Sequence, residues 1–372
     1  MHHRDRRSRK CHGAGERLQH PQHLQLRDVR ETLVVAGNEH ERQDDRDPEG
    51  QDYRPFHESC GLLQYASLIL HIAFRTMRVY MLSPGLRQQI IDDIRTESRP
   101  LSPIPTVHPA DLRLLQDVSC VAFDVYGTLL VSGAGEVAAG SGETASGRDG
   151  AFRRVASLLG LPDADAPGIA DAYHDAVVDR HTAARATGTV QPEIDVLEVW
   201  SAVARTLRGN QACSPEVLAV AYELTANPVW PMPGAIEAIE TLRRRGVVLA
   251  VVSNAQFYTP LTIEALFGSP PARLGFHPCI WSWEIGVAKP DPGVFRRLSD
   301  HLETLGIAPR QTIYVGNDML NDVTTAQEAG YRGVLFAGDR RSLRLRAGDH
   351  RVHGHVPDAV VTDLRQIPDL VA

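Results

Sequence analysis

Four segments of this chain bring apolar runs to an end on residues that can do chemistry. VAFDVYGTLL (121–130) carries Asp124, VVLAVVSNA (247–255) carries Ser253 and Asn254, IGVAKPDPGVF (285–295) carries Lys289, and TIYVGNDMLND (312–322) carries Asp318 and Asp322. A carboxylate delivered by a buried strand and followed by a sharp Gly-Thr exit serves a core poorly. It serves well as a nucleophile or metal ligand at the C-terminal edge of a parallel sheet, where α/β proteins place their sites. Asp318 and Asp322 stand four residues apart, so a helix beginning there puts both on one face. Aimed at Asp124, the pair makes a hard oxygen set suited to Mg²⁺. Ser253 offers a hydroxyl donor, with Asn254 beside it. Asn317 and Asn321 read equally as partners of this cluster or as caps. Lys289 stands out by rarity: the chain has 39 Lys plus Arg, yet only Lys10 and Lys289 are lysines. A compact ammonium serves there in a way that a planar guanidinium does not.

The elements that must position these residues follow from the apolar pattern. GAIEAIETLRRRG, TPLTIEALFG, PGVFRRLSDHLETLG and NDVTTAQEAG predict helices, alternating with strands at VVLAVVS, CIWSW, TIYVG and RGVLFA. HVPDAVVTDLRQIPDLV predicts a last strand and helix. This alternation predicts an α/β fold, a Rossmann-like doubly wound parallel sheet. Between the first and second motifs lies VSGAGEVAAGSGETASGRDG (131–150), a flexible loop or hairpin flap. AFRRVASLLG, IADAYHDAVVDRHTAARA, IDVLEVWSAVARTLRG and SPEVLAVAYELTA then predict helices with no strand among them.

In their order and spacing the four motifs resemble the haloacid dehalogenase-like (HAD) hydrolase superfamily, over roughly residues 115 to 365. The resemblance implies a catalytic core from 111–145 and 231–372, with 146–230 as an inserted helical cap that chooses the substrate. It implies Asp124 as the nucleophile forming an aspartyl-phosphate. Thr128, Ser253, Asn254 and Lys289 would bind the phosphoryl group, and Asp124, the backbone carbonyl of Tyr126, Asp318 and Asp322 would hold Mg²⁺, Asp322 in part through water or Lys289. Tyr126 departs from the phosphatases of that superfamily, which carry a second Asp there as acid and base. A phenol with a pKa of about 10 is a poor partner for that cycle. Asp-x-Tyr-Gly-Thr is instead the form found in the superfamily's haloacid dehalogenases, which need no metal and generally lack the first metal-binding Asp. Asp318 favours the Mg²⁺-dependent phosphohydrolase, acting on a small phosphorylated metabolite. The alternatives are a metal-independent 2-haloacid dehalogenase-type hydrolase and a non-catalytic binding module.

Composition sets the outer bounds. The net charge of −7 gives no case for a nucleic-acid partner, and five cysteines without C-x-x-C spacing suit a reducing compartment. The longest apolar stretch, GLLQYASLILHIAF (61–74), falls short of the roughly 20 residues a membrane helix needs. No signal-peptide pattern opens the chain, and a cytoplasmic location is expected. Residues 1–80 hold eight of the sixteen histidines and little periodicity, and are expected to be disordered or an over-extended start. Residues 81–110 are expected to form a helix over LRQQIIDDIR (86–95) and a Pro-rich connector. His174, Asp175, Arg180, His181 and Arg185, then Glu193, Asp195 and Trp200, are candidates for the pocket rim, though a solvated face suits them better. The same holds for the basic run GDRRSLRLR (338–346), which could also steer an anionic substrate.

Overall fold

Strands buried on both faces need apolar residues at successive positions, and the short runs CVAF, VLAVVS and TIYVG supply them. In the computed structural model, which describes residues 82–135, 145–207 and 213–372, these runs form the middle of a six-stranded sheet. Its strands are β1 (Cys120–Phe123), β4 (Val248–Ser253), β5 (Phe276–Trp281), β6 (Thr312–Gly316), β7 (Arg332–Phe336) and β8 (Ala359–Val361). Their order is β5-β4-β1-β6-β7-β8, and every pairing is parallel. The chain leaves β1 toward β4 and β5, then returns to β6 on the other side. That reversal opens a crevice at the C-terminal ends of β1, β4 and β6, where three of the four motifs end.

Side-chain alternation divides the core between the two faces. Val121, Phe123, Leu249, Val251, Ile313 and Val315 pack on the side of α6 (Ala235–Arg244) and α7 (Thr259–Phe267). Ala122, Ala250, Val252 and Tyr314 pack against Phe295, Leu298 and Leu302 of α8 (Gly293–Thr304). The predicted N-terminal helix is α1 (Pro84–Glu97), capped by the Ser83 hydroxyl, with Ile90, Ile91 and Ile94 buried. Residues 1–81 and the segment 136–144 lie outside the described residues, and so do the expectations placed on them.

Four helices fill the interval after the first motif: α2 (Ala145–Leu158), α3 (Ala166–Ala186), α4 (Val196–Thr206) and α5 (Pro215–Ala226). Phe152, Tyr173, Trp200 and Tyr222 meet at their centre, with ring centroids 4.9–5.7 Å apart. Trp200 is therefore core and not rim. The expected loop at 131–150 is shorter than its Gly and Ser content suggests. Its start belongs to β2 (Leu130–Ser132), which pairs antiparallel with β3 (Val229–Pro231), and α2 begins at Ala145. Among the described residues no helix is long and apolar enough to cross a membrane.

Candidate active site

Asp124 stands one residue past the end of β1, and its N–H still donates to the Val315 carbonyl at 2.9 Å. Gly127, at φ 81°, turns the chain away. A Cβ there would lie 2.6 Å from Ser342 Cβ and 2.9 Å from Asn317 Oδ1, so the turn and the close approach both require glycine. Lys289 enters from the segment after β5. Its Nζ donates to Asp124 Oδ1 at 2.9 Å, Asp322 Oδ1 at 2.6 Å and the Tyr314 hydroxyl at 2.7 Å. Those three bonds use the ammonium's full donor capacity. Asn254 fixes where the lysine starts: its Oδ1 accepts from the Lys289 N–H at 2.7 Å, and its Nδ2 donates to the Lys289 carbonyl at 3.1 Å. Burial alone would push Lys289 down, but Asp124 and Asp322 outweigh it and hold the ammonium above its usual pKa. Burial pushes the Asp322 carboxyl up to about 7 against the pull of Lys289, with Asp124 and Asp318 adding repulsion.

Asp318 caps the turn that follows β6, its Oδ1 accepting from the N–H groups of Leu320 at 2.8 Å and Asn321 at 3.2 Å. The helix expected from NDVTTAQEAG opens with a wide π-turn over Met319–Thr324 before an α-turn at Thr325–Glu328. Asp322 folds back so that its Oδ2 accepts from the Asp318 N–H at 2.9 Å. The carboxylate then lies over Gly316, where a Cβ would come within 2.3 Å of it. The second cation at the cluster is Arg346. Its Nε stands 3.2 Å from Asp318 Oδ1 and 3.1 Å from Oδ2, and its Nη2 donates to Oδ2 at 2.5 Å.

Asp124, Tyr126, Asn254, Lys289, Asp318, Asp322 and Arg346 share the wall of one cavity of about 430 Å³. Thr128 and Ser253 do not line it. The Thr128 hydroxyl donates to Asn317 Oδ1 at 3.1 Å, and that of Ser253 to the Asn254 carbonyl at 3.3 Å. The hydroxyls of Tyr126 and Thr259 are hydrogen-bonded at 2.9 Å, and burial holds the Tyr126 phenol far above its usual pKa. The carboxylates offer hard oxygens, the donor type Mg²⁺ takes. Asp124 Oδ2 accepts no hydrogen bond among the described residues. Among those residues no three His, Cys, Asp or Glu side chains are already gathered as metal ligands. The set fits a divalent cation in donor type.

The family model described as haloacid dehalogenase-like hydrolase matches residues 118–330, more than half of the chain and the stretch that carries all four motifs. The chain belongs to the haloacid dehalogenase-like hydrolase family. Among curated relatives it is 36% identical over 140 residues to a phosphoserine phosphatase of Thermus thermophilus, covering 38% of this chain and 50% of that one. It is 30% identical over 146 residues to a glyceraldehyde 3-phosphate phosphatase of Methanopyrus kandleri, covering 38% of this chain and 56% of that one. The chain thus spans about half the length of the curated relatives it matches. A HAD phosphatase from Thermococcus onnurineus is a similar solved structure, at 19% identity and a TM-score of 0.41, over 68% of this chain and 97% of the other.

The far wall of this HAD-like cavity comes from the four-helix segment and the irregular stretch that precedes α4. Tyr173, His181, Glu193, Tyr222 and Glu223 line it. Of the rim candidates His181 and Glu193 therefore face the cavity, while Asp195 caps α4 through the Leu197 N–H at 2.8 Å. Gln256 was not singled out by the sequence. Its amide binds Glu193 Oε1 at 3.0 Å, the Ile194 carbonyl at 2.9 Å and the Val196 N–H at 3.1 Å. Nor was Arg346, which the sequence places in a run better suited to a solvated loop. The Arg344 N–H donates to the Asn317 carbonyl at 3.0 Å and the Met319 N–H to the Arg344 carbonyl at 2.8 Å, and this pairing seats Arg346 beside Asp318.

Proposed function

We propose that this HAD-like chain is a Mg²⁺-dependent phosphohydrolase acting on a small phosphorylated metabolite through an aspartyl-phosphate on Asp124. One observation carries the reading: a buried lysine bridges Asp124 and Asp322 at 2.9 and 2.6 Å on the wall of a cavity of about 430 Å³. Asp124 Oδ2, which accepts no hydrogen bond among the described residues, attacks phosphorus while the bond from phosphorus to the leaving oxygen breaks. Water then attacks the same phosphorus, releasing inorganic phosphate and restoring the carboxylate. Lys289 orients the Asp124 carboxylate and meets the negative charge that grows on the transferred oxygens, already in place before the reaction begins. Asn254 keeps the lysine backbone in place, and Thr128 and Ser253 support the loops that contact the phosphoryl group. Asp124, the Tyr126 carbonyl, Asp318 and Asp322 would hold Mg²⁺, which when bound draws charge from the phosphoryl oxygens. The helices at 146–230 act as the cap that selects the substrate.

Tyr126 supplies neither the proton nor the base of this cycle, because its phenol stays protonated at working pH. Leaving groups that depart without proton help, such as acyl phosphates and phosphoanhydrides, suit such a site. The phosphatase names of the two curated relatives support phosphoryl chemistry. Tyr126 together with the Arg346–Asp318 pair favours a second reading, metal-independent cleavage of a 2-haloacid. Phosphate release from a panel of phosphoesters and acyl phosphates, with Mg²⁺ and with EDTA, separates the two. We expect Mg²⁺-dependent release that falls by at least about a thousandfold in Asp124→Asn. Halide release in EDTA, with no phosphate release in Mg²⁺, would replace the first reading by the second. A folded protein silent in both assays would leave a binding module.

A further inference from the structure

Three carboxylates, those of Asp124, Asp318 and Asp322, crowd the cavity wall, and two cations face them. The two cations are built differently. Lys289 has a side chain 2% exposed, with all three protons committed. Arg346 has a side chain 34% exposed, and within the carboxylate cluster it binds Asp318. Its backbone sits at φ 51°, a left-handed conformation that an L residue adopts only at a cost. A fork of hydrogen bonds to a nearly buried carboxylate offsets that cost, because Asp318 left alone would be an uncompensated charge. The guanidinium thus stands on the oxygens a divalent cation would need, and it borders the cavity.

We propose that Arg346 is a displaceable counter-ion: it holds Asp318 until a divalent cation takes the carboxylate, then swings into the cavity. The inference rests on the Mg²⁺ reading above and adds to it the residue that sets how tightly the cation binds. One positive charge gives way to two, which suits a cluster of three carboxylates served otherwise by Lys289 alone. Lys289 cannot play this part, since withdrawing it would strip Asp124 and Asp322 together. The freed guanidinium, still tethered at the wall, is placed to meet an anionic group of the substrate.

Titration calorimetry of the full chain with MgCl₂ tests this without reference to turnover. Arg346→Gln should bind Mg²⁺ about tenfold more tightly than the wild type, since the cation no longer competes with a charge-assisted pair. Arg346→Lys, which keeps a charge but loses the fork, should fall between them. Asp318→Asn should lose most of the binding. If the wild type binds Mg²⁺ and Arg346→Gln binds it equally or more weakly, the counter-ion role is wrong while the metal reading stands. If neither the wild type nor any variant binds Mg²⁺, the metal reading fails and this inference with it. Should Arg346→Gln not fold, Arg346→Lys decides alone: tighter binding supports the role and unchanged binding overturns it.

Discussion

At the residue scale Tyr126 separates two chemistries that the rest of the motif leaves open. Its hydroxyl is spent on Thr259 at the start of α7, and burial keeps it protonated. Tyr126→Phe should therefore leave kcat within about twofold and cost about 1 kcal/mol of stability for the lost hydrogen bond. A hundredfold fall in kcat at unchanged KM would instead make the phenol the missing acid. That Asp124, Lys289, Asp318 and Asp322 come together was legible, because each ends an apolar run that has no packing use for a charge. Arg346 was not. It is one of four arginines in GDRRSLRLR, and no local spacing distinguishes it. What selects it is a backbone pairing between Arg344 and the residues around Asp318, some 26 positions earlier in the chain. The Thr128 and Ser253 hydroxyls show the converse limit. Residue type marked them as donors, but local geometry turns them onto Asn317 and the Asn254 carbonyl.

At the element scale the long alternating segments were read well, and the short or irregular ones were not. β2 and β3 have three residues each, and β3 ends on a proline, so neither carries a period that can be read. The π-turn at Met319–Thr324 has no signature beyond the need to bring Asp322 over Gly316. The short helix Ser282–Ile285, which leads into the Lys289 segment, carries a charge with a measurable cost. Burial raises the Glu284 carboxyl from 4.5 to about 7. A folded-state pKa above the unfolded one means that the fold favours the proton. The stability this gives is present below pH 4.5 and is lost as the pH rises through about 7. Glu284→Gln should not suffer that loss. Its melting temperature relative to the wild type should rise by about 3 °C between pH 4 and pH 8, allowing for partial solvent screening. A difference that stays constant across that range would mean the carboxyl is not held protonated.

Across the whole molecule, the helical segment and the sheet are joined next to the lysine. The Ala288 N–H donates to the Gln191 carbonyl and the Glu193 N–H to the Gly286 carbonyl, both at 3.0 Å. Gln256 and Ser282 close the same seam through the Glu193 carboxylate. Whatever orders this seam also orders the Lys289 loop, so the cavity wall formed by the helices and the lysine are mechanically linked. Gln256→Ala leaves the Val196 N–H and the Ile194 carbonyl without their partner. It should raise KM about tenfold with kcat within about threefold, and quicken tryptic cleavage at Arg180 and Arg185. An unchanged KM with a collapsed kcat would show that the seam serves the chemistry and not the fit. The parallel sheet and the four helices between Ala145 and Ala226 were legible from the order of periods alone. The seam was not, since it is made by residues about 60 to 95 positions apart.

The pairing of β2 with β3 makes the entry and the exit of the helical segment neighbours, with the Gly133 N–H on the Pro228 carbonyl at 2.8 Å. The covalent entry and exit of the segment between those two residues thus lie side by side, and no described strand of the six-stranded sheet comes from within it. An insert of different length or composition can be spliced there without rerouting the scaffold. On the proposed reading of the helices as the cap, new substrate preferences are open to this chain by exchange of a cassette, while the carboxylates and their lysine stay where they are.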